Sequence, residues 1–257
     1  MSSKARSTRL QVLRPALTAW LLLAVYGVAA QPGSASSGAT PAAARCTAQQ
    51  PWPVRFTLEY TVIASRSGLS LEGENELQFR SDGGRYEMSS STRSALYKAR
   101  QDSRGTLQGR VLRPAEYTEQ TQRREPATTT VDWPAGTIRF SAAPDVPGSV
   151  VPLLQDRLSM LLQLGERAQR PGDGDVVLPV AGLRSVADYR FERRGAESIE
   201  LPAGTFDTVR LQRRDPVRQE AVEVWLAPGS CWLPVKLRFT DERGVVIENQ
   251  LRRASFD

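Results

Sequence analysis

A strict two-residue alternation runs through Val54-Arg-Phe-Thr-Leu-Glu-Tyr-Thr-Val62. Every second side chain is apolar and the intervening ones are polar, which is typical of a β-strand with one buried face and one face in water. The same alternation returns around Leu77 and Phe79, and again near the C-terminus around Val224 and Leu237. Because antiparallel sheets tolerate one wet face, these runs predict antiparallel pairing.

Glycine-containing turn signals, such as Asp82-Gly83-Gly84 and Arg243-Gly244, separate the alternating runs at short intervals. One window, 149–165, has the leucine spacing of a helix, with Ser149 as its N-cap and Gly165 as its end. The pattern therefore predicts an all-β fold: a single antiparallel meander that curls into a barrel or half-barrel. The short helix at 149–165 is expected to pack on this sheet or to plug it.

Residues 1–30 have the order of a secretory signal peptide: basic residues, a short apolar run and small residues up to Ala30. We predict export by the general (Sec-type) route to the periplasm, with cleavage after Ala30. An uncleaved inner-membrane anchor is the alternative. Residues 31–44 are uncharged and almost all small, and they predict a flexible tether over 31–45. Residues 46–257 are then a single β-rich domain, with no stable membrane span in the mature form.

Charge and composition exclude several function classes. The net charge is +6, but four basic residues lie within the first fourteen, so the mature chain carries only about +2. This small excess, scattered among acidic neighbours, argues against a nucleic-acid partner. The chain has no histidine, which excludes Ser-His-Asp and Cys-His catalysis as well as His-ligated zinc. The sequence predicts neither a metal site nor a cofactor.

The two cysteines, Cys46 and Cys231, lie near opposite ends of the predicted domain. Cysteines in exported proteins are typically paired, because the compartments outside the cytoplasm are oxidising. We therefore predict a disulfide between them. It would clamp the start of the domain onto a late hairpin turn.

Three residues are candidates for ligand binding or for a structural role. Asp156 and Ser159 share one side of the predicted helix, away from its leucines, and Asp156 could be an acid or a ligand contact. The alternative is that Asp156 accepts hydrogen bonds from backbone amides or an arginine. Trp225 lies on the polar face of its strand, beside Glu223, where a large aromatic side chain is unexpected. None of the three is predicted to be catalytic.

Four motifs, in order along the chain, carry a resemblance to a known family. They are Leu112-Arg-Pro-Ala-Glu-Tyr117, Gln155-Asp-Arg-Leu-Ser159, Leu201-Pro-Ala-Gly-Thr-Phe206 and Val224-Trp-Leu-Ala-Pro-Gly-Ser-Cys-Trp-Leu-Pro234. From about Phe56 to Leu251 the chain resembles the bacterial exported proteins known as "domain of unknown function 3108". The resemblance implies a periplasmic, mainly antiparallel β protein with no assigned activity, metal or cofactor.

Three functions are compatible with these observations. The first is a non-enzymatic protein that binds a lipid or another apolar or amphipathic envelope molecule in the cavity of a curved sheet. The second is a scaffold that binds an envelope protein through a sheet edge or an outer face. The third is a glycan-acting enzyme that uses carboxylates alone, although no pair of acids can be nominated.

Overall fold

A computed structural model describes residues 46–47, 50–170, 172, 174–215 and 217–257. The predicted signal peptide, 1–30, and the predicted tether, 31–45, lie outside the described residues. The first strands are β1 Arg55–Arg66, β2 Leu69–Asp82, β3 Arg85–Ser94, β4 Lys98–Gln108, β5 Val111–Thr121, β6 Arg124–Asp132, β7 Thr137–Phe140, β8 Gly148–Ser149 and β9 Gln155–Asp156. After the helix α1, Ser159–Ala168, come β10 Val176–Ala181, β11 Val186–Leu201, β12 Gly204–Asp215, β13 Glu220–Ala227, β14 Leu233–Thr240 and β15 Val246–Phe256. One turn of 3-10 helix, Pro228–Ser230, separates β13 from β14.

All fifteen strands belong to one sheet, in the order β8-β7-β6-β5-β4-β3-β2-β1-β15-β14-β13-β12-β11-β10-β9. Neighbouring strands are antiparallel, except that β9 runs parallel to β10. The first and last strands, β1 and β15, pair at the centre of the sheet. The edge strands β8 and β9 have only two residues each, so little unpaired backbone is offered to another chain. The sheet curls but does not close, and the predicted antiparallel meander is confirmed.

The alternation in β1 places its apolar side chains on the inner, concave face of the sheet. Phe56, Leu58 and Tyr60 are each at most 1% exposed. Across the ladder to β2, Phe56 faces Phe79 and Leu58 faces Leu77. The rings of Phe56 and Phe79 stack with centroids 5.1 Å apart, an arrangement that adds about 1 kcal/mol to the effect of burial alone. The one-sided pattern thus builds the core directly.

The helix begins ten residues later than predicted, at Ser159 instead of Ser149, and it ends at Ala168. The residues before it form turns and the short strand β9, because Pro152 disfavours helical backbone at the preceding residue and Leu153 has a left-handed φ of 61°. Ser149 therefore belongs to β8 and caps no helix. Gly165 lies inside the helix and does not end it.

Helix α1 lies across one end of the curled sheet, with three of its sides buried. Leu162 packs with the apolar side chains of β1 and β2, and Leu164 packs with those of β10 to β13. On a third side, Gln163 Oε1 accepts a hydrogen bond from the Leu112 amide at 3.0 Å. The helix is therefore a plug. Within the described residues, no helix has the length and apolar character that a membrane span requires.

The predicted disulfide between Cys46 and Cys231 is present, with Cα atoms 5.8 Å apart. It holds the residues before β1 against the turn between β13 and β14. Trp52, which follows the disulfide, is buried and contacts Phe79 edge-on with ring centroids 6.2 Å apart. The helix-covered end of the sheet is therefore covered a second time by the start of the domain.

Successive hairpin turns alternate between the two ends of the sheet, as the antiparallel order requires. We call the end covered by α1 the plugged end; its turns are 82–85, 108–111, 132–137, 201–204 and 227–233. We call the opposite end the mouth; its turns are 66–69, 94–98, 121–124, 140–148, 181–186, 215–220 and 240–246.

Candidate functional site

Asp156 and Ser159 lie together at the start of α1. Asp156 Oδ1 accepts hydrogen bonds from the amides of Leu158 and Ser159, both at 2.8 Å, and Oδ2 accepts one from Ser103 Oγ at 2.5 Å. In return, Ser159 Oγ accepts a hydrogen bond from the Asp156 amide at 3.0 Å. The first amides of a helix have no partner within the helix and favour negative charge. These contacts fasten the helix to β4.

Burial raises the pKa of Asp156, although the hydrogen bonds from Ser103, Ser159 and Leu158 act in the opposite direction. Burial, and then the charge of Asp156, also raises the pKa of Tyr86, whose hydroxyl lies 2.9 Å from Ser103 Oγ. Because the folded pKa of Asp156 is raised, its stabilising contribution is complete below the unfolded value of about 3.9. That contribution is lost as the pH rises through the folded pKa.

Replacing Asp156 tests whether hydrogen bonding or charge matters at this position. We expect Asp156→Ala to lower the free energy of unfolding by about 2 kcal/mol, because two helix amides and Ser103 lose their acceptor. Asp156→Asn retains an acceptor oxygen and removes the buried charge, so it is expected to be as stable as the wild type near pH 7. Urea denaturation measures both. If asparagine is as damaging as alanine, the negative charge itself holds the helix.

Trp225 is 4% exposed and lies on the face of β13 opposite to the core residue Val224. Its Nε1 donates a hydrogen bond to Glu197 Oε1 at 2.8 Å. Lys236 Nζ and the Arg210 guanidinium lie 4.9 and 5.8 Å from the centre of one of its rings. Two cations and one carboxylate therefore lie around an indole that also belongs to the large apolar core. Among the described residues, no hydrogen bond joins Trp225 to the start of α1.

At the mouth, the inner face carries a small apolar cluster on β1, on β15 and in the turn just before β15. Val62, Ala64, Ile247 and Val245 are each at most 9% exposed, and Phe239 packs against them. Ala64 faces Ile247 directly across the β1–β15 ladder. Since α1 packs at the other end of the sheet, this cluster is separate from the large core around the helix. It forms an apolar floor at the mouth.

Beside the apolar floor, the same inner face is polar on β2 to β5. Asn75 Nδ2 donates to Ser90 Oγ at 2.8 Å, and Gln101 Nε2 donates to the Tyr117 hydroxyl at 3.0 Å. That hydroxyl donates to Glu119 Oε2 at 2.9 Å. Ser90, Gln101 and Glu119 are successive cross-strand neighbours. They form a polar wall along the floor.

Arg157 reaches this wall from the opposite side of the mouth. Its NH1 lies 3.4 Å from Glu119 Oε2, and its side chain is 29% exposed. The guanidinium lies against Gly182, where a Cβ would come within 3.3 Å of NH2. It also contacts Tyr189, whose ring centre lies 4.0 Å from the Arg213 guanidinium. Sequence reasoning missed Arg157, because Glu119 is 38 residues away along the chain.

Two small cavities follow the floor and the wall, each of about 30 Å³. Ser90, Gln101 and Glu119 line the polar one, and Val62 and Ala64 are among the residues that line the apolar one. Each has room for roughly one water molecule.

Tyr97, in the turn 94–98, lines both cavities, as does Thr92 of β3. Burial, and then the negative charge of Glu119, raises its pKa to about 12, so its hydroxyl stays protonated at neutral pH. Because this neutral side chain belongs to the lining of both, its movement would enlarge both cavities.

The outer face of β1 to β5 carries a larger, half-open trough of about 650 Å³. Arginines and acids that line it form pairs across the strands: Arg80 with Glu87 at 2.5 Å, Arg100 with Asp102 at 2.6 Å and Arg104 with Glu116 at 2.9 Å. Exposed pairs of this kind neutralise each other and contribute little energy. Although the trough is larger, the mouth is the better candidate, because it joins apolar surface to partly buried polar groups.

Other buried carboxylates have structural partners. On α1, Glu166 Oε1 lies 3.2 Å from Arg110 Nε and 2.9 Å from Arg170 NH2. Asp241 Oδ1 accepts a hydrogen bond from the Val245 amide at 2.9 Å, within a hairpin turn. In the part of the chain that the structure describes, no three His, Cys, Asp or Glu side chains cluster as metal ligands do.

Comparison with known proteins gives a family and distant structural likenesses. Residues 55–250 match the family described as "Protein of unknown function (DUF3108)". One similar structure is a DUF1329 family protein from Desulfovibrio piger: 10% identity, 80% of this chain and 86% of that chain covered, TM-score 0.30. Another is a putative outer membrane lipoprotein-sorting protein domain from Vibrio parahaemolyticus: 10% identity, 79% and 85% covered, TM-score 0.25. Among curated proteins there is no match.

Proposed function

The chain belongs to the DUF3108 family of proteins of unknown function, and we propose that it is a periplasmic protein that binds an apolar or amphipathic envelope molecule at the mouth. The apolar part of the ligand lies on the floor around Val62, Ala64 and Ile247. Its polar part faces Glu119 and Arg157. In this proposal, residues 46–257 are the working domain, delivered by the signal peptide and joined to it by the tether.

The observation that carries the proposal is the division of one concave face into an apolar and a polar half. Val62 and Ala64 on β1 are apolar, whereas Asn75, Ser90 and Gln101 on the neighbouring strands are hydrogen-bonded polar groups. A purely structural core has little reason to place polar side chains there, because each costs free energy to bury. An amphipathic ligand satisfies both halves at once.

Ligand entry requires Tyr97 to move, because the two cavities it lines are too small for anything larger than water. The turn that carries it connects β3 to β4 at the mouth. Rotation of one side chain in a hairpin turn is a fast, low-cost motion compared with displacing α1. Tyr97 therefore acts as a gate in this proposal, and the plugged end stays intact while the mouth opens.

Substitutions at the gate and the floor test the proposal with a fluorescent apolar probe, N-phenyl-1-naphthylamine. We expect Tyr97→Ala to lower the Kd of the probe about ten-fold by enlarging the cavities. Val62→Thr, which preserves volume but adds a hydroxyl, should raise the Kd about five-fold. Leu96→Ala is the matched control, because Leu96 is in the same turn and is exposed. An equal effect at Leu96, or no binding by any variant, would contradict the proposal.

Native mass spectrometry of wild-type protein purified from the periplasm provides the physiological counterpart. The expected result is a species heavier than the mature chain by one lipid-sized molecule, released by organic extraction. The mass of the stripped protein also reports whether the chain begins at Gln31. Protein that leaves the periplasm with no bound molecule, and that gains none from a total lipid extract, would refute the proposed function.

A further inference from the structure

The seven turns of the mouth, 66–69, 94–98, 121–124, 140–148, 181–186, 215–220 and 240–246, form a rim around the candidate site. Six of them carry at least one exposed lysine or arginine, seven in total, and the turn 140–148 carries none. The rim has five acidic residues, of which Asp145 and Glu242 are exposed. Asp215 and Asp241 are satisfied by amides of their own turns, so the exposed surface of the rim keeps an excess of basic residues.

Apolar side chains stand among these basic residues. Leu69, Leu96 and Val217 are exposed large hydrophobics, and Val217 is 91% exposed. Each is in a different turn of the rim. The exposed parts of these aliphatic side chains gain no packing energy within the domain, since they contact water. Their occurrence in three turns of the same basic rim points to a surface that removes them from water.

The hairpin turns of the plugged end differ in both respects. Its turns, 82–85, 108–111, 132–137, 201–204 and 227–233, carry two basic and two acidic residues. One of the basic residues, Arg110, lies 3.2 Å from Glu166 of α1. None of the exposed large hydrophobics lies in the described residues of these turns. Val54, which precedes β1 at the plugged end, is also 47% exposed, so it is the excess of exposed cations together with the apolar turn tips that distinguishes the rim.

We infer that the rim docks on an anionic lipid bilayer, with its basic residues on lipid phosphates and Leu69, Leu96 and Val217 inserted among the headgroups. Separate turn tips suit a fluid surface, because each tip finds its own headgroups. A protein partner would instead need one continuous complementary patch of about 1,000 Å² or more. Docking in this orientation places the mouth against the membrane, the source of the ligand in the proposed function, although the docking itself does not depend on that ligand.

Vesicle sedimentation tests the inference with the mature protein, purified from the periplasm. We expect binding to vesicles of phosphatidylethanolamine and phosphatidylglycerol, but not to phosphatidylcholine vesicles, and weaker binding at high salt. Arg66→Gln with Arg184→Gln removes two rim cations and should lower the partition coefficient about 30-fold. The control pair, Arg85→Gln with Arg139→Gln, removes the same charge from exposed positions elsewhere and should have little effect.

A second matched pair of variants tests the contribution of the apolar side chains to vesicle binding. Leu96 and Val54 are both 47% exposed, but Val54 lies before β1, outside the rim. Leu96→Ser should weaken vesicle binding about five-fold at any salt concentration, whereas Val54→Ser should not. Circular dichroism confirms that each variant is folded.

Several results would overturn the inference: equal losses for rim and control variants, binding that ignores lipid charge, or no vesicle binding by the wild type. Saturable binding of an envelope protein to the rim, in place of vesicles, would also overturn it. Val62→Thr distinguishes this inference from the proposed function. That variant should lose probe affinity and retain vesicle binding, so either idea can fail alone.

Discussion

Gly165→Ala is expected to lower the free energy of unfolding by about 3 kcal/mol, although alanine is ordinarily the better residue in a helix. A Cβ at this position would lie 2.2 Å from the carbonyl oxygen of Trp232 and 3.2 Å from its carbonyl carbon. Neither atom can move aside easily, because both are backbone in the turn that the disulfide at Cys231 holds. The clash outweighs the gain of about 1 kcal/mol in helix propensity.

The control for this prediction is Gly174→Ala. At Gly174 an added Cβ meets no atom within 4 Å, and the glycine has no positive φ. Alanine there should be neutral or slightly stabilising, because it restricts the unfolded chain. Urea denaturation of the two variants and the wild type gives the comparison. If the Gly165→Ala protein is as stable as the control, then α1 does not pack against the turn at Trp232 as closely as described.

The strand architecture could be predicted because it depends on local pattern. In β1 the order apolar, polar, apolar at Phe56, Thr57 and Leu58 specifies both the strand and the face that it buries, whatever its neighbours are. Glycine turns then specify antiparallel order without any knowledge of register. The disulfide was predicted from the compartment and the cysteine count alone, and the structure confirms it.

The helix was misplaced for an equally physical reason. Leucine spacing continues upstream of Ser159, so periodicity alone extends the predicted helix toward the N-terminus. The helix instead begins at Ser159. Its start is set by the backbone around Pro152 and by the hydrogen bonds that Asp156 accepts from the next amides and from Ser103. Ser103 is 53 residues away. Such a contact has no signature in the window around the helix.

The mouth depends still more on register. In the sequence nothing distinguishes the polar residues Asn75, Ser90 and Gln101 from other polar strand residues. Only the pairing of β2 with β3 and of β3 with β4 brings them onto one inner face. Their meeting with Arg157 needs in addition the curl of the whole sheet. A shift of one residue in either ladder would turn these side chains outward. Site prediction from the sequence therefore stopped at Asp156, Ser159 and Trp225, whose roles as ligand contacts remain predictions.

Removing the disulfide is expected to have the largest effect on stability, a loss of about 4 kcal/mol. The bridge joins residues separated by 185 positions. In the chain-entropy model, closing so long a loop lowers the entropy of the unfolded chain and stabilises the fold by about 5 kcal/mol; measured stabilisations by disulfides reach ~5 kcal/mol at most. The folded state is also weakened, since the bridge holds the segment that packs Trp52 against Phe79. Cys46→Ser with Cys231→Ser should therefore show a much lower urea midpoint than the oxidised wild type.

The reductant-treated wild type provides the matched comparison, because it loses the bridge without a change of sequence. It should unfold at nearly the same urea concentration as the double variant, and reductant should leave the double variant unaffected. This pairing separates loss of the covalent link from any effect of serine in the buried site of Cys231. If reduction costs the wild type less than about 1 kcal/mol, then packing around Trp52 and α1 holds the plugged end by itself, and the long loop adds little to the entropy of the unfolded chain. A loss near 4 kcal/mol would instead make folding of this domain dependent on an oxidising compartment, since the reduced chain would keep only a small part of the 5–15 kcal/mol typical of folded domains.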